Sequence, residues 1–289
     1  MESILEAINE WIKEILIGAI NGNLSTMFGD VNEKVGTIAA EVGKTPQGWN
    51  ANIFSMIQNL SKNVVIPIAG LIITFVLCYE LITMITEKNN MHDIDTFIFF
   101  KYVFKACVAV MLLSHTFEIT MAIFDVGQWL VNQAAISITN DTYVDVTSIY
   151  IQFRDSLDAM GTGELIALML EAAVVSLAVK AIAILVSVVL INRMIEIYLY
   201  CSVAPIPFAT MTNREWGNIG TNYIRSLLSL AFQGLFIMVI VGIYSALVKD
   251  ILIVSDLHSM LMRIGMYSIV LCLTLFKTSS ISKSIFNAH

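Results

Sequence analysis

Long apolar blocks separated by short polar stretches dominate this chain, and their lengths predict what each block does. The runs from Val64 to Thr86 and from Phe97 to Phe124 are each long enough for the ~20 residues that a helix needs to cross a bilayer. From Glu164 the chain stays helix-competent to Val203, and forty residues at 1.5 Å each make roughly 60 Å, twice the hydrocarbon thickness. Such a helix must tilt steeply, project from the membrane or break. A fourth run covers Ile224 to Val248, and a fifth, short one covers Leu261 to Phe276, with room to begin before Met260.

The N-terminal pattern differs. Ile4, Leu5, Ile8, Trp11, Ile12, Ile15, Leu16 and Ile20 recur at helical spacing, with Glu2, Glu6, Asn9, Glu10 and Lys13 among them. Charges through the first thirteen residues predict an amphipathic interfacial helix rather than a span. Residues 22–63 read as mixed and polar, with a turn at Lys44–Trp49, "KTPQGW". The expected fold is therefore an all-α polytopic membrane protein of about five transmembrane helices plus an N-terminal amphipathic helix. One of its helices is very long, about 164–203, and ends in a Pro-containing turn. The expected regions are an extracytoplasmic segment over 1–63, a five-span bundle over 64–278 and a cytoplasmic tail over 279–289.

Composition agrees. The 289 residues are 57% hydrophobic and 13% charged, against about 25% charged in ordinary soluble domains. Mean hydropathy is +0.78. The net charge of −7, with no Lys/Arg cluster, argues against a nucleic-acid-binding surface of the usual basic kind. The opening MESILEAINEW has acids where a secretory signal carries positive charge, which predicts an uncleaved protein. Cys78, Cys107, Cys201 and Cys272 all lie in apolar runs without C-x-x-C spacing and read as inert thiols.

Lys/Arg placement predicts orientation. The 125–163 loop carries Asp141, Asp145, Asp155 and Asp158 against Arg154 and should face outward. Lys88, Lys101, Arg193, Arg214, Lys277 and Lys283 belong to the cytoplasmic side. Alternation over five spans then puts the N-terminus outside and the C-terminus inside a plasma membrane. The lysines of the first 63 residues dissent, on a segment where the rule is weak.

Enzyme chemistry finds no support in the sequence. "VGKT" at Val42–Thr45 has Ile38 where a phosphate-binding loop needs glycine, and no apolar strand precedes it. Four scattered histidines form no zinc pattern, so neither cofactor nor metal is expected.

Charges inside apolar runs stand out, since each costs ~2.5–3.5 kcal/mol at a helix centre on insertion scales. On the second span His115, Glu118 and Asp125 fall within about 80° of arc at 100° per residue, one polar stripe that is either a hydrated lining or an end that has left the membrane. On the long helix Glu171 and Lys180 lie on opposite faces, whereas Arg193 and Glu196 are spaced to pair. A span over 172–191 would centre Lys180; one over 181–202 would bury Arg193 with Glu196. The bland reading of each charge is a structural pair between helices.

The stretch "VAPIPFATMTNREW" ends the long helix near Val203. Pro205 and Pro207 lack an N–H and push the residues before them out of helical space, and Trp216 suits a membrane interface. A bent, partly embedded turn is expected there. This stretch, with Arg193 and Glu196 before it and a span containing Gln233 after it, resembles the TrbL-like (VirB-type) polytopic subunit of conjugative type IV secretion systems, the Gram-positive mobile-element type above all. The likeness is strongest over about 190–245.

The resemblance implies a membrane subunit of the machine that moves single-stranded DNA with its relaxase. Separate ATPases, a bitopic scaffold subunit and further copies of the chain would be its partners. Lys180, Arg193, Arg214 and Arg225 are then candidates to line a weak, transient DNA path, since tight phosphate binding would need more basic residues. Longer relatives carry a soluble C-terminal extension; this sequence ends at His289, and no role of such an extension is carried over. A small-solute or ion transporter is the alternative, suggested by the buried charges and the Pro-broken helix, although no inverted repeat is visible.

Overall fold

A computed structural model describes residues 2–87, 96–139, 146–251 and 256–288. Among them every regular element is helical. In chain order these are α1 (Glu2–Val42), α2 (Pro46–Trp49), α3 (Ala51–Leu60) and α4 (Ile66–Glu87), then α5 (Thr96–Ser114), α6 (Thr116–Thr139) and α7 (Val146–Ala159). The long α8 (Thr162–Val203), the short α9 (Pro205–Thr210), α10 (Gly217–Ile251) and α11 (Leu257–Ile285) follow. Among the described residues four helical stretches are long and apolar enough to cross a membrane: 51–86, 162–203, 217–251 and 257–285. A fifth arises if the bent pair α5 and α6 counts as one span. The protein is an all-α, multi-pass membrane protein.

Several local signals explain where helices start, bend and stop. Glu164 reaches back to the backbone N–H of Gly161, 3.0 Å away, as half of a capping box, and so starts α8 at Thr162. A π turn over Ser61–Val65 joins α3 to α4 just before Pro67. It widens the helix where the proline ring would meet the carbonyl of Asn63 in a regular turn. Asn50 caps α3 by accepting from the N–H groups of Asn52 and Ile53.

Three expectations need correction. The first concerns residues 22–63: α1 continues unbroken to Val42, because Leu24, Met27, Phe28, Val35, Ile38 and Val42 extend its apolar stripe and are at most 5% exposed. Burial of that stripe outweighs the weak helix propensity of Gly22, Asn23, Gly29 and Gly36. "KTPQGW" holds a short turn followed at once by α2, which Thr45 caps and whose first position is Pro46.

The second correction is the 97–124 span, which is two helices bent by 66° at His115. The side chains of Ser114, His115 and Thr116 each bond carbonyls of the preceding turn, at 2.9–3.0 Å. Three consecutive back-bonds of this kind compete with the backbone ladder and bend a helix.

The third is the proline stretch. The long helix does stop at Val203, but Pro205–Thr210 forms a short helix, with Pro205 at its first turn where a missing N–H costs nothing.

Two compact units divide the chain. The first holds residues 1–42, 131–191 and 236–278; the second holds 43–130, 192–235 and 279–289. In the first, α8 contributes Leu165, Leu168, Ala172, Val175 and Val179 at helical spacing to a core shared with Phe28, Leu157, Ile237 and Leu261. The other face of the same helix exposes Ile166, Leu170, Val174, Leu177 and Ile184. A helix apolar on both faces is a membrane helix. In the second unit, Met194, Ile197, Tyr198 and Cys201 pack with Phe117, Phe124, Phe208, Tyr223 and Leu227. There α9 rests on α4 and α5, with Ala209 and Ile206 against Ala69, Ile73, Ala109 and Leu113.

Candidate functional site

Among the described residues most of the buried polar side chains lie in the second unit. At its centre Arg193 is only 7% exposed. Its guanidinium donates to the carbonyl of Leu230 on α10 at 3.4 Å, Nε has no hydrogen-bond partner, and no carboxylate among the described residues pairs with it. The expected Arg193–Glu196 pair is not formed, because the two side chains point to different neighbours. Glu196 accepts instead from Nζ of Lys283 on α11, at 2.9 Å.

Hydroxyl groups tie the helices around this charge. Tyr198 donates to the carbonyl of Pro46 at 2.6 Å, Tyr223 to that of Tyr200 at 2.6 Å, and Ser282 to that of Ser229 at 2.6 Å. Gln128 Nε2 donates to the carbonyl of Gly43 at 2.7 Å. Each bond satisfies a polar side-chain tip at a backbone carbonyl of another segment.

The proline stretch is held from both sides. Gly220 packs so closely under α9 that a Cβ there would stand 2.6 Å from the carbonyl oxygen of Pro207 and collide with Met211. Asn213 then accepts from the N–H groups of Glu215 and Trp216, at 2.7 and 2.9 Å, and sets the entry to α10. The Trp216 ring stacks on Phe75 and Tyr79 of α4, with ring centroids 5.7 and 6.4 Å away. Pro205 is buried and Pro207 half-buried, so both form part of the packed turn.

Beside that stack a cleft of about 650 Å³ opens between the end of α4, the start of α5 and residues 213–215. Glu80 and Lys105 form an ion pair in it, and the Tyr79 hydroxyl lies 3.2 Å from Glu215. Sequence reasoning missed this cleft. The available signal was the opposite charge of Glu80 and Lys105 in two consecutive spans, each a few turns from the connecting loop.

The remaining candidates lie apart. Arg214 lines the cleft, while Arg225 is exposed on α10. Lys180 is exposed on α8 within the first unit, where Glu171 pairs with His258. His115 sits at the α5/α6 bend with Nδ1 at the Met111 carbonyl, and Glu118 is exposed one turn on. Because the bend falls at His115, the stripe drawn through His115, Glu118 and Asp125 is not one helix face. Arg193, Arg214 and Arg225 occupy three different surroundings within their unit and do not share one lining. Among the described residues no cluster of His, Cys, Asp and Glu could hold a metal ion.

Residues 31–205 match the TrbL/VirB6 plasmid conjugal transfer like protein family. The chain belongs to this family. As a TrbL/VirB6-like protein it is a membrane component of conjugal transfer. The matched stretch takes in Arg193, Glu196 and Pro205 and stops short of Trp216 and Gln233, so the family signal lies further upstream than the 190–245 likeness suggested. No curated protein and no solved structure matches the chain.

Proposed function

We propose that this TrbL/VirB6-like protein is the plasma-membrane subunit that forms or scaffolds the passage for single-stranded DNA and its relaxase in a conjugative type IV secretion system. Family membership supplies the process. The observation that carries the finer reading is Arg193: a charge kept in an apolar interior, with one carbonyl and no carboxylate among the described residues for company, is retained at a cost in stability. Such a residue is worth keeping where it meets an anionic substrate during part of a cycle. The net charge of −7 and the scattered basic residues suit a path that releases its cargo.

In this reading the packed interiors of the two units are not themselves the conduit. Side chains such as Phe28, Leu165 and Leu227 fill them, so the passage runs between copies of the chain or between it and other secretion subunits, and Arg193 meets the cargo only in the part of the cycle in which the helices around it separate. Separate ATPases supply the energy, a bitopic subunit supplies the scaffold, and the N-terminus lies outside with the C-terminus in the cytoplasm. In-frame deletion tests the reading: complementable loss of donor-to-recipient transfer with normal excision and growth supports it. Unchanged transfer removes it and favours a transporter.

A further inference from the structure

We propose that the cleft between the end of α4, the start of α5 and residues 213–215 binds the phosphate headgroup of an anionic phospholipid. Three observations converge on that ligand, and none depends on the DNA-transfer reading.

The first is depth. Glu80 lies in the last turns of one apolar span, Lys101 in the first turns of the next, and Arg214 just ahead of a third. The cleft therefore opens where three spans end, at headgroup level, beside the stack of Trp216 on Phe75 and Tyr79 that marks an aromatic interface.

The second is charge. Among the described residues its ionisable lining is Lys101, Lys105 and Arg214 against Glu80 and Glu215, one more cation than anions. Glu80 and Lys105 neutralise each other, and Glu215 engages the Tyr79 hydroxyl. Lys101 is exposed at the rim and pairs with no carboxylate among the described residues. The cleft thus favours an anion, and basic pockets between membrane helices recognise lipid phosphates in this way.

The third is the surface leading away from the cleft. On α5, Phe97, Phe104 and Val108 fall within about 60° of Lys101 around the helix, and are 72%, 72% and 37% exposed. An anion bound at Lys101 therefore has an apolar track running from it along the membrane-facing side of α5. A diacyl lipid fits both halves of this surface; a nucleic acid or an acidic peptide, whose backbone is strongly hydrated, fits only the first.

The test uses the full-length protein purified in detergent and offered phosphatidylglycerol or phosphatidylcholine, with bound lipid counted by native mass spectrometry. Phosphatidylglycerol is expected to be retained at least fivefold more than phosphatidylcholine. The Lys101→Gln/Arg214→Gln variant should lose that preference, while Lys101→Arg/Arg214→Lys and the exposed-site control Lys277→Gln should keep it. Equal retention of the two lipids, or an unchanged double-Gln variant, overturns the proposal.

Two competitors identify other sources of the same chemistry. Displacement of the lipid by millimolar inorganic phosphate would make this a soluble-anion site, and displacement by a single-stranded oligothymidylate would assign it to DNA; either overturns the lipid assignment. Crosslinking with a photoreactive phosphatidylglycerol needs no variant. Label on peptides containing 97–108 or 213–216 supports the site, and label confined elsewhere contradicts it.

Discussion

Lys283 in the last turns of α11 donates to Glu196 near the end of α8 across 2.9 Å, with both side chains partly exposed. A charge pair of this kind at the edge of a span fixes two helix ends at little cost in desolvation. Reversing either charge alone is expected to destabilise the protein by about 0.5–1 kcal/mol, and the swap Glu196→Lys/Lys283→Glu should restore most of it. Thermal unfolding in detergent, followed by size-exclusion chromatography, reads this cycle.

The pair also marks what the sequence could and could not disclose. Apolar run length was enough to find the spans and the stop of α8 at Val203, because span length and proline geometry are local properties. Partner choice was not local: Arg193 and Glu196 are spaced to meet on one helix face, yet they point to Leu230 and Lys283 on two other helices. Glu171 likewise pairs with His258, far along the chain. Residues 22–42 looked polar because Gly and Asn dilute the stripe, although Met27, Phe28 and Ile38 carry it into the core. The bend at His115 was written in Ser114, His115 and Thr116, but apolar run length alone conceals it.

Close packing around the proline helix makes glycines unequal. Gly220→Ala drives a methyl group against the backbone of Pro207 and is expected to cost about 1–3 kcal/mol by overpacking. Gly127→Ala, where the Cβ would lie 2.9 Å from Ala231, should behave the same way. At Gly70 of α4 nothing lies within 4 Å, so Gly70→Ala should be neutral or add up to about 1 kcal/mol through helix propensity. Melting temperatures of the three variants check the order.

Removing the Tyr198 hydroxyl leaves the buried carbonyl of Pro46 without its 2.6 Å donor. Tyr198→Phe should therefore cost about 1–2 kcal/mol, a lost hydrogen bond plus part of the acceptor's desolvation. Faster hydrogen exchange in 46–54, with exchange elsewhere unchanged, would locate the effect.

The start of α11 should respond to pH. Asp256 accepts from the hydroxyl and the N–H of Ser259, at 2.6 and 3.0 Å, and these bonds hold its carboxyl below the usual aspartate range, the hydroxyl contributing most. A depressed folded-state value means the cap's contribution is present above the ordinary aspartate range and is lost as pH falls through the lowered value. Amide exchange over 257–260 should accelerate on acidification in the wild type. In Asp256→Asn it should be independent of pH over the same interval.

Arg193 separates stability from function. Replacing a buried, poorly paired cation by an apolar side chain of similar length is expected to leave stability unchanged or to raise it by about 1–4 kcal/mol. If the charge serves the substrate, Arg193→Met should nevertheless lower transfer at least tenfold, and Arg193→Lys should recover part of it. A variant that loses stability and transfer together would make Arg193 a structural residue.

The most direct measurement is formaldehyde crosslinking of DNA to this subunit during active mating, followed by its immunoprecipitation and quantification of the transferred strand. The account predicts recovery of that strand from the wild type, reduced recovery from Arg193→Met at equal protein level, and none when the relaxase cannot nick. No recovery from the wild type, under conditions that recover the strand with the system's ATPases, would contradict a passage-forming role.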